Sequence, residues 1–190
     1  MNIVGLLLAA GSASRFGSDK LRHLLPHGVP IALQSARHLK SQGLRVIAVI
    51  KSSAEARAFE QEHCETVVCE NAREGMGASL ACAARAAGKA DAYIVALADM
   101  PFVRPTTIAA VRAALERGAL LAAPYFRARR GHPVGIAGTF YEQLIALSGD
   151  EGARHLLAAN ESALVKIPVG DPGVIRDIDR PEDLAPPIRV

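Results

Sequence analysis

The chain is predicted to be an α/β protein, a single domain built on one doubly wound, mostly parallel sheet flanked by helices. Three observations carry that expectation. Short apolar β-type runs alternate with segments of helical spacing through the first two thirds of the sequence. The 190 residues match the size of one globular unit with its own core. Half the residues are hydrophobic and only 4% are aromatic, with no Trp, so the interior is expected to be packed and largely aliphatic.

Ile3 to Leu8 is the first expected strand, followed by Arg45 to Ile50, Thr66 to Cys69 and Ala92 to Leu97, each bounded by polar or glycine-bearing stretches. Helical spacing falls between them, at Ile31 to Gln42, Ser53 to His63, Ala78 to Ala87 and Thr106 to Arg117. After Leu120 the order is less regular. An apolar run to Ala123 leads to a loop at Arg127 to Arg130, a short apolar segment at Pro133 to Ile136 and helical material from Thr139 to Asn160. The Pro-rich end holds a strand-like Val174 to Ile178 and a helix start at Pro181-Glu182-Asp183-Leu184, with acids in its first turn. No repeat or linker divides the chain, so residues 1–190 are read as one domain. Residues 1–103 form its ligand-binding half, and residues 104–190 shape a second pocket.

A formal net charge of +3 with scattered basic residues argues against nucleic-acid or membrane partners and favours a small anionic ligand. No segment is long enough to span a bilayer and no leader precedes the first strand, so a cytoplasmic protein is expected. Cys64, Cys69 and Cys82 show neither metal-ligand spacing nor an even count, and are expected to be buried free thiols.

The stretch Leu8-Ala9-Ala10-Gly11-Ser12-Ala13-Ser14-Arg15-Phe16-Gly17-Ser18-Asp19-Lys20 directly follows the first strand. Ligands bind at such strand ends in an open parallel sheet. Small residues let backbone N–H groups approach phosphate oxygens, and Arg15 and Lys20 can neutralise a triphosphate. The glycines at 11 and 17, and Leu21 after Lys20, fit neither a Walker-type loop nor a dinucleotide fingerprint. Asp99, in Ala96-Leu97-Ala98-Asp99-Met100-Pro101, closes the fourth strand at the same sheet edge. A carboxylate there can bind magnesium, a hard cation that takes a few oxygens plus phosphate.

The first stretch resembles L-A-A-G-x-S-x-R-x-G-x-x-K, the signature loop of nucleotidyltransferases that include the molybdenum-cofactor, sugar-phosphate and methylerythritol cytidylyltransferase enzymes. Every specified position matches. The resemblance implies a Rossmann-like nucleotidyltransferase fold with Leu8, Ala9, Ala10, Gly11, Ser12, Arg15 and Lys20 on the nucleotide. Asp177-Ile178-Asp179-Arg180-Pro181-Glu182-Asp183-Leu184 resembles the family's D-I-D-T-P-E-D-L, with Arg180 for the common Thr. It nominates Asp179 as second metal ligand beside Asp99, although Asp179 also reads as a helix cap. Gly75-Met76-Gly77-Ala78-Ser79-Leu80 resembles the G-M-x-x-S-L element near base and ribose, where Ser79 also reads as a first-turn residue. The Ala9-Ala10-Gly11 form resembles the cytidylyl branch and favours CTP among the NTPs.

Two later segments, Arg130-Gly131-His132-Pro133-Val134-Gly135 and Gly149-Asp150-Glu151-Gly152-Ala153-Arg154, resemble R-x-G-H-P-V and G-D-x-G-A-R of the molybdopterin cytidylyltransferase branch. They place His132 and Arg154 as acceptor-binding candidates, with Pro101 of the Asp99 segment beside them. His132 also reads as structural, and Asp150 with Arg154 as an exposed i, i+4 pair. The implied reaction is Mg²⁺-dependent nucleotidyl transfer from CTP or another NTP to the phosphate of molybdopterin or its metal-loaded form, with Arg15, Lys20 and Asp99 catalytic. Glycine and proline in the loop after Arg127 leave room for a molybdoenzyme client. Two alternatives stay open: transfer to a sugar or polyol phosphate, and a non-catalytic protein that binds and delivers nucleotide or molybdopterin.

Overall fold

Six consecutive buried residues make Ile3–Leu8 the central strand β1, covered on both faces as a parallel core strand must be. The computed structural model describes residues 1–11, 20–150 and 152–184. After β1 come α1 (Ile31–Lys40), β2 (Arg45–Ile50), α2 (Ala56–Gln61), β3 (Glu65–Val68), α3 (Met76–Ala87), β4 (Ala92–Leu97) and α4 (Pro105–Glu116). The second half adds β5 (Leu121–Phe126), β6 (Arg129–Arg130), β7 (Val134–Ala137), α5 (Tyr141–Ile145), α6 (Arg154–Ala159) and β8 (Leu164–Pro168).

The strands form one sheet in the order β3-β2-β1-β4-β7-β5, with β6 continuing the β7 edge of β5 and β8 on its other edge. β1 to β4 run parallel, and β7 runs antiparallel between β4 and β5. The sheet is therefore mixed but mostly parallel. Strand order reverses at β1, which pairs with β2 on one side and β4 on the other, with Leu8 opposite Leu97. A crevice opens at such a switch point beyond the carboxyl ends of the strands.

Alternating side chains feed two cores. Leu7, Ala48, Ile50 and Ile94 pack with Leu39, Ile108, Val111 and Leu115 on one face. Leu6, Leu8, Val49 and Tyr93 pack with Leu80, Ala84, Leu144 and Leu156 on the other. Tyr93 is fully buried, and its hydroxyl donates to the Gly88 carbonyl at 2.7 Å, so that hydroxyl is not stranded. Among the described residues no helix is long and apolar enough to cross a membrane.

Several expectations are corrected. The strand-like Val174 to Ile178 instead contributes to a 3-10 turn at Pro172–Ile175. Buried Asp171 organises it, accepting from Gly173 N–H (3.1 Å), Arg104 N–H (2.8 Å) and Thr107 Oγ1 (2.7 Å), while Val174 and Ile178 plug the core. The helical stretch from Thr139 to Asn160 breaks between α5 and α6, where Gly149 and Gly152 adopt positive φ. The expected loop after β5 is a hairpin, and Pro181–Leu184 is a single 3-10 turn.

Cys69 and Cys82 are joined in a disulfide, contrary to the expectation of free thiols. α3 runs back along the sheet and brings its seventh residue over the end of β3, a proximity that spacing along the chain does not reveal. Cys64 stays free and buried, and burial pushes its thiol up to about 11. Closing a loop with a separation of 13 residues restricts the unfolded chain by about 3 kcal/mol. Replacing both cysteines by serine is therefore expected to lower Tm by roughly 6–12 °C against the oxidised protein in a thermal scan.

Candidate active site

Three chain segments converge on one ammonium group at the switch point. Lys20 Nζ donates to Asp99 Oδ2 at 2.9 Å and to Asp179 Oδ1 at 3.2 Å. Asp99 emerges just past β4, where Ala98 donates its N–H to the Leu8 carbonyl (3.1 Å) and accepts from Ser35 Oγ (3.1 Å). Asp179 is brought alongside by the Ile178 N–H, which donates to the Asp99 carbonyl at 2.9 Å, and by the Ile178 side chain buried against Leu25 and Ile31. Asp183 Oδ2 accepts from the Asp179 and Arg180 N–H groups at 3.0 and 2.9 Å, which holds the Asp183 carboxyl below its usual range.

The Lys20 side chain is 10% exposed, against 25% for Asp99 and 46% for Asp179, so the lysine forms the floor and the carboxylates face outward. Burial alone pushes the Lys20 ammonium down. The charges and hydrogen bonds of Asp99 and Asp179 outweigh it, and the net shift is upward. The side chain therefore stays a cation at neutral pH.

Beside this cluster, and reached by it through Asp99, lies a cavity of about 910 Å³, walled by Leu8, Ala10, Gly11 and Leu97 on the sheet side and by Glu70, Arg73, Gly75, Met76 and Ser79 on the other. Lys51 and Asp150 also reach it. A second cavity of about 260 Å³ between α1 and α2 is mostly apolar and touches none of the three charged groups, so the chemistry belongs to the larger one.

The wall opposite the charged floor is built on glycines. Gly77 donates its N–H to the Gly149 carbonyl at 2.8 Å. A Cβ at Gly77 would stand 2.4 Å from the Ser148 carbonyl oxygen, and one at Gly75 would stand 2.4 Å from Asp150 Cα. Residues 148–150 are thus latched against the start of α3. Ser79, buried, turns its hydroxyl back onto the Gly75 carbonyl at 3.3 Å, as a first-turn residue does.

A divalent cation fits this arrangement. Asp99 and Asp179 already share one cationic partner, so both reach a single point of positive charge. No cluster of three or more His, Cys, Asp or Glu side chains suited to a metal occurs among the described residues. The protein would supply two carboxylates and leave the remaining positions to phosphate oxygens and water, which is the habit of Mg²⁺ and not of a fully caged ion.

Of the residues nominated from sequence, Leu8, Ala10, Gly11, Gly75, Met76, Ser79 and Asp99 line the cavity, while Lys20 and Asp179 do not line it and join it through Lys20's bond to Asp99. Ala9 faces the smaller apolar cavity, and Gly77 stands behind the wall. Ser12 and Arg15 lie outside the described residues. Pro101 is buried beside Leu25 and Phe102, away from the large cavity. Arg154 opens α6 on the surface, and Asp150 precedes that helix, so the two form no helical pair. Lys51, Glu70, Arg73 and Asp150 were not nominated. Asp150 stands within the G-D-x-G-A-R segment, where motif position is the available signal, whereas Glu70 and Arg73 precede the Gly75–Leu80 element.

His132 is also turned away. His132 shares a small cavity with Ser35, His38 and Ala96, its Nδ1 is sealed from solvent without a hydrogen-bond partner among the described residues, and a cis peptide bond joins it to Pro133. Burial, aided by the Arg130 charge, pushes the imidazole down to about 4 against a hydrogen bond to the Val95 backbone and the Asp177 charge. The unfolded ring titrates near 6.5, so between these values the unfolded chain binds the extra proton. Stability present at neutral pH is therefore expected to fall by up to about 3 kcal/mol as pH drops from 6.5 to 4. Urea unfolding of wild type and His132→Gln at pH 7 and 4.5 checks this, the variant showing the shallower pH slope.

Residues 5–164 match the family described as the MobA-like NTP transferase domain. The chain belongs to that family. As a MobA-like NTP transferase domain it is a member of the nucleotidyltransferase superfamily, with the switch-point crevice in the expected place. It is 29% identical to purine catabolism protein PucB of Bacillus subtilis (strain 168), over 95% of this chain and 93% of that protein. It is 30% identical to nicotine blue oxidoreductase of Paenarthrobacter nicotinovorans, over 96% and 94%. The fold also matches Rv0371c of Mycobacterium tuberculosis H37Rv, with a TM-score of 0.81, 24% identity and coverage of 96% and 94%. The structure of that protein's manganese complex matches with a TM-score of 0.77 at 24% identity, covering 96% of each chain.

Proposed function

We propose that this domain transfers a nucleotidyl group from an NTP, with CTP favoured, to the phosphate of molybdopterin or the molybdenum cofactor, releasing pyrophosphate. The observation that carries the reading is the Lys20 ammonium set between Asp99 and Asp179, with Asp99 lining a cavity large enough for a nucleotide. A nucleotide with its phosphates toward this floor leaves its base and ribose along Gly75, Met76 and Ser79. An oxygen of the acceptor phosphate attacks the α-phosphorus, a new P–O bond forms, and the bond to the bridging oxygen breaks as pyrophosphate departs. Lys20, with Arg15, stabilises the charge that builds on the α-phosphate and leaving group. Asp99 and Asp179 would hold Mg²⁺, which screens the phosphates and polarises the α-phosphoryl oxygen. No protein nucleophile takes part. The manganese complex of Rv0371c supports a divalent cation on this fold.

CTP is favoured by the Ala9-Ala10-Gly11 form of the loop. The name of one relative, nicotine blue oxidoreductase, denotes other chemistry on a similar chain, so product identity is the deciding test. Incubation with CTP, Mg²⁺ and molybdopterin under anaerobic conditions is expected to give a product heavier than molybdopterin by one cytidylyl group. A nucleotide sugar or polyol formed from phosphate acceptors alone would move the acceptor assignment. Binding without any product would leave a carrier.

A further inference from the structure

The G-D-x-G-A-R segment has no part in the transfer just described, yet it places Asp150 at the edge of the nucleotide cavity. The cavity that holds the Asp99 carboxylate at its charged floor holds Asp150 in the wall beside Gly75, Met76 and Ser79. The Asp150 carboxylate takes no hydrogen bond or ion pair from the described residues.

Its backbone position is set tightly. Gly77 N–H binds the Gly149 carbonyl, Gly75 and Gly77 make room for the backbone of residues 148–150, and Gly152 packs against Met76 Sδ. The same contacts give α3 a protein partner at its N-terminus. The Gly77 N–H, which a phosphate at a helix start would use, is already taken. A triphosphate therefore belongs with the Lys20 cluster, and the uncharged part of the nucleotide belongs at the Asp150 end. An ionised carboxylate accepts hydrogen bonds and repels lone pairs.

The geometry points to Asp150 as a base-reading residue that accepts a hydrogen bond from the exocyclic amino group of the nucleobase and so selects cytosine over uracil. Uracil presents a carbonyl oxygen where cytosine presents the amine, and two acceptors face each other. A hydrogen bond to a charged acceptor, lost and replaced by that repulsion, corresponds to about ten- to one-hundred-fold in affinity. Glu70 and Arg73 also line this end and are exposed, as Asp150 is, but their longer side chains are less closely fixed by the backbone that carries them. The inference rests on the nucleotide reading of the cavity and not on the identity of the acceptor.

The test is binding, which separates it from turnover: Kd for CTP and UTP with Mg²⁺, by calorimetry, in wild type, Asp150→Asn, Asp150→Ala and Glu70→Gln. Wild type is expected to prefer CTP by at least about ten-fold. Asp150→Asn is expected to bring the ratio close to one by tightening UTP, because an amide can turn its NH₂ toward O4. Asp150→Ala should weaken CTP and, by removing the repulsion, leave UTP no weaker than in wild type. A wild type indifferent between CTP and UTP, an unchanged ratio in Asp150→Asn, or relaxation in Glu70→Gln alone would overturn the assignment. Failure of every NTP to release pyrophosphate would sink the transferase reading while leaving the binding ratios to decide this one.

Discussion

Replacing Lys20 by alanine is expected to lower kcat for pyrophosphate release by about 10²- to 10³-fold, the usual loss when one fixed charge-stabilising donor is removed. The ammonium lies at hydrogen-bond distance from both carboxylates and is the buried member of the cluster. Its removal leaves Asp99 and Asp179 facing the incoming phosphates without that cation. Lys20→Arg is not expected to restore activity, because a planar fork cannot replace a point charge in the same space. Because its neighbours hold the Lys20 ammonium above its usual value of 10.5, wild-type activity should show no fall from Lys20 deprotonation up to about pH 10. Steady-state turnover, beside a circular dichroism check of folding, decides the matter. Near-wild-type turnover in a folded Lys20→Ala protein would remove the lysine from the mechanism.

Gly75→Ala is expected to cost about 4 kcal/mol of stability, a fall in Tm of roughly 8–16 °C, and to weaken nucleotide binding in whatever folded protein remains. Two effects add. Gly75 has φ 128° and ψ −170°, a region open essentially to glycine alone, worth about 1–3 kcal/mol of strain for alanine. The added Cβ would also stand 2.4–2.7 Å from backbone atoms of residues 149 and 150, and overpacking of this kind costs about 1–3 kcal/mol. Gly77→Ala separates the terms. Position 77 is helical, where alanine is favoured over glycine by about 1 kcal/mol, so any loss there reports the collision with the Ser148 carbonyl. Thermal scans of both variants give the comparison, and Gly75→Ala melting with the wild type would show that the 148–150 wall yields freely.

Much of the first half was legible because its strands are unbroken apolar runs. β1, β2 and β4 begin and end where the sequence indicates, since central strands buried on both faces need no alternation to betray them. The second half was less legible because its strands are short and interrupted. β8 carries Lys166 and Pro168 in a five-residue edge strand, and β6 and β7 are separated by Gly131, His132 and Pro133. Val174 and Ile178 are β-branched, but Pro172 and the Asp171 hydrogen bonds turn that segment, and burial of both side chains rewards the turn as well as a strand would.

The site was legible in parts. Lys20, Asp99 and Asp179 could be nominated from three segments far apart in the chain, but only the folded chain brings the two carboxylates onto one ammonium. His132 was open to both readings, and the fold settles its position: a ring sealed by the residues around Ser35 and His38 cannot reach the cavity as placed. Asp150 reads in the sequence as one member of an exposed pair, among other roles, because it stands four residues before Arg154. The glycines at 149 and 152 break the helix there and turn the aspartate toward α3. The disulfide was hidden because its geometry depends on α3 folding back over β3.

The central claim is that the Lys20, Asp99 and Asp179 cluster and the cavity that Asp99 lines support nucleotidyl transfer. Pyrophosphate release from each of the four NTPs, with Mg²⁺ and with or without molybdopterin under anaerobic conditions, tests it most directly. The account predicts release that requires both molybdopterin and Mg²⁺ and is fastest with CTP. No release from any NTP with molybdopterin or with sugar and polyol phosphates would contradict it.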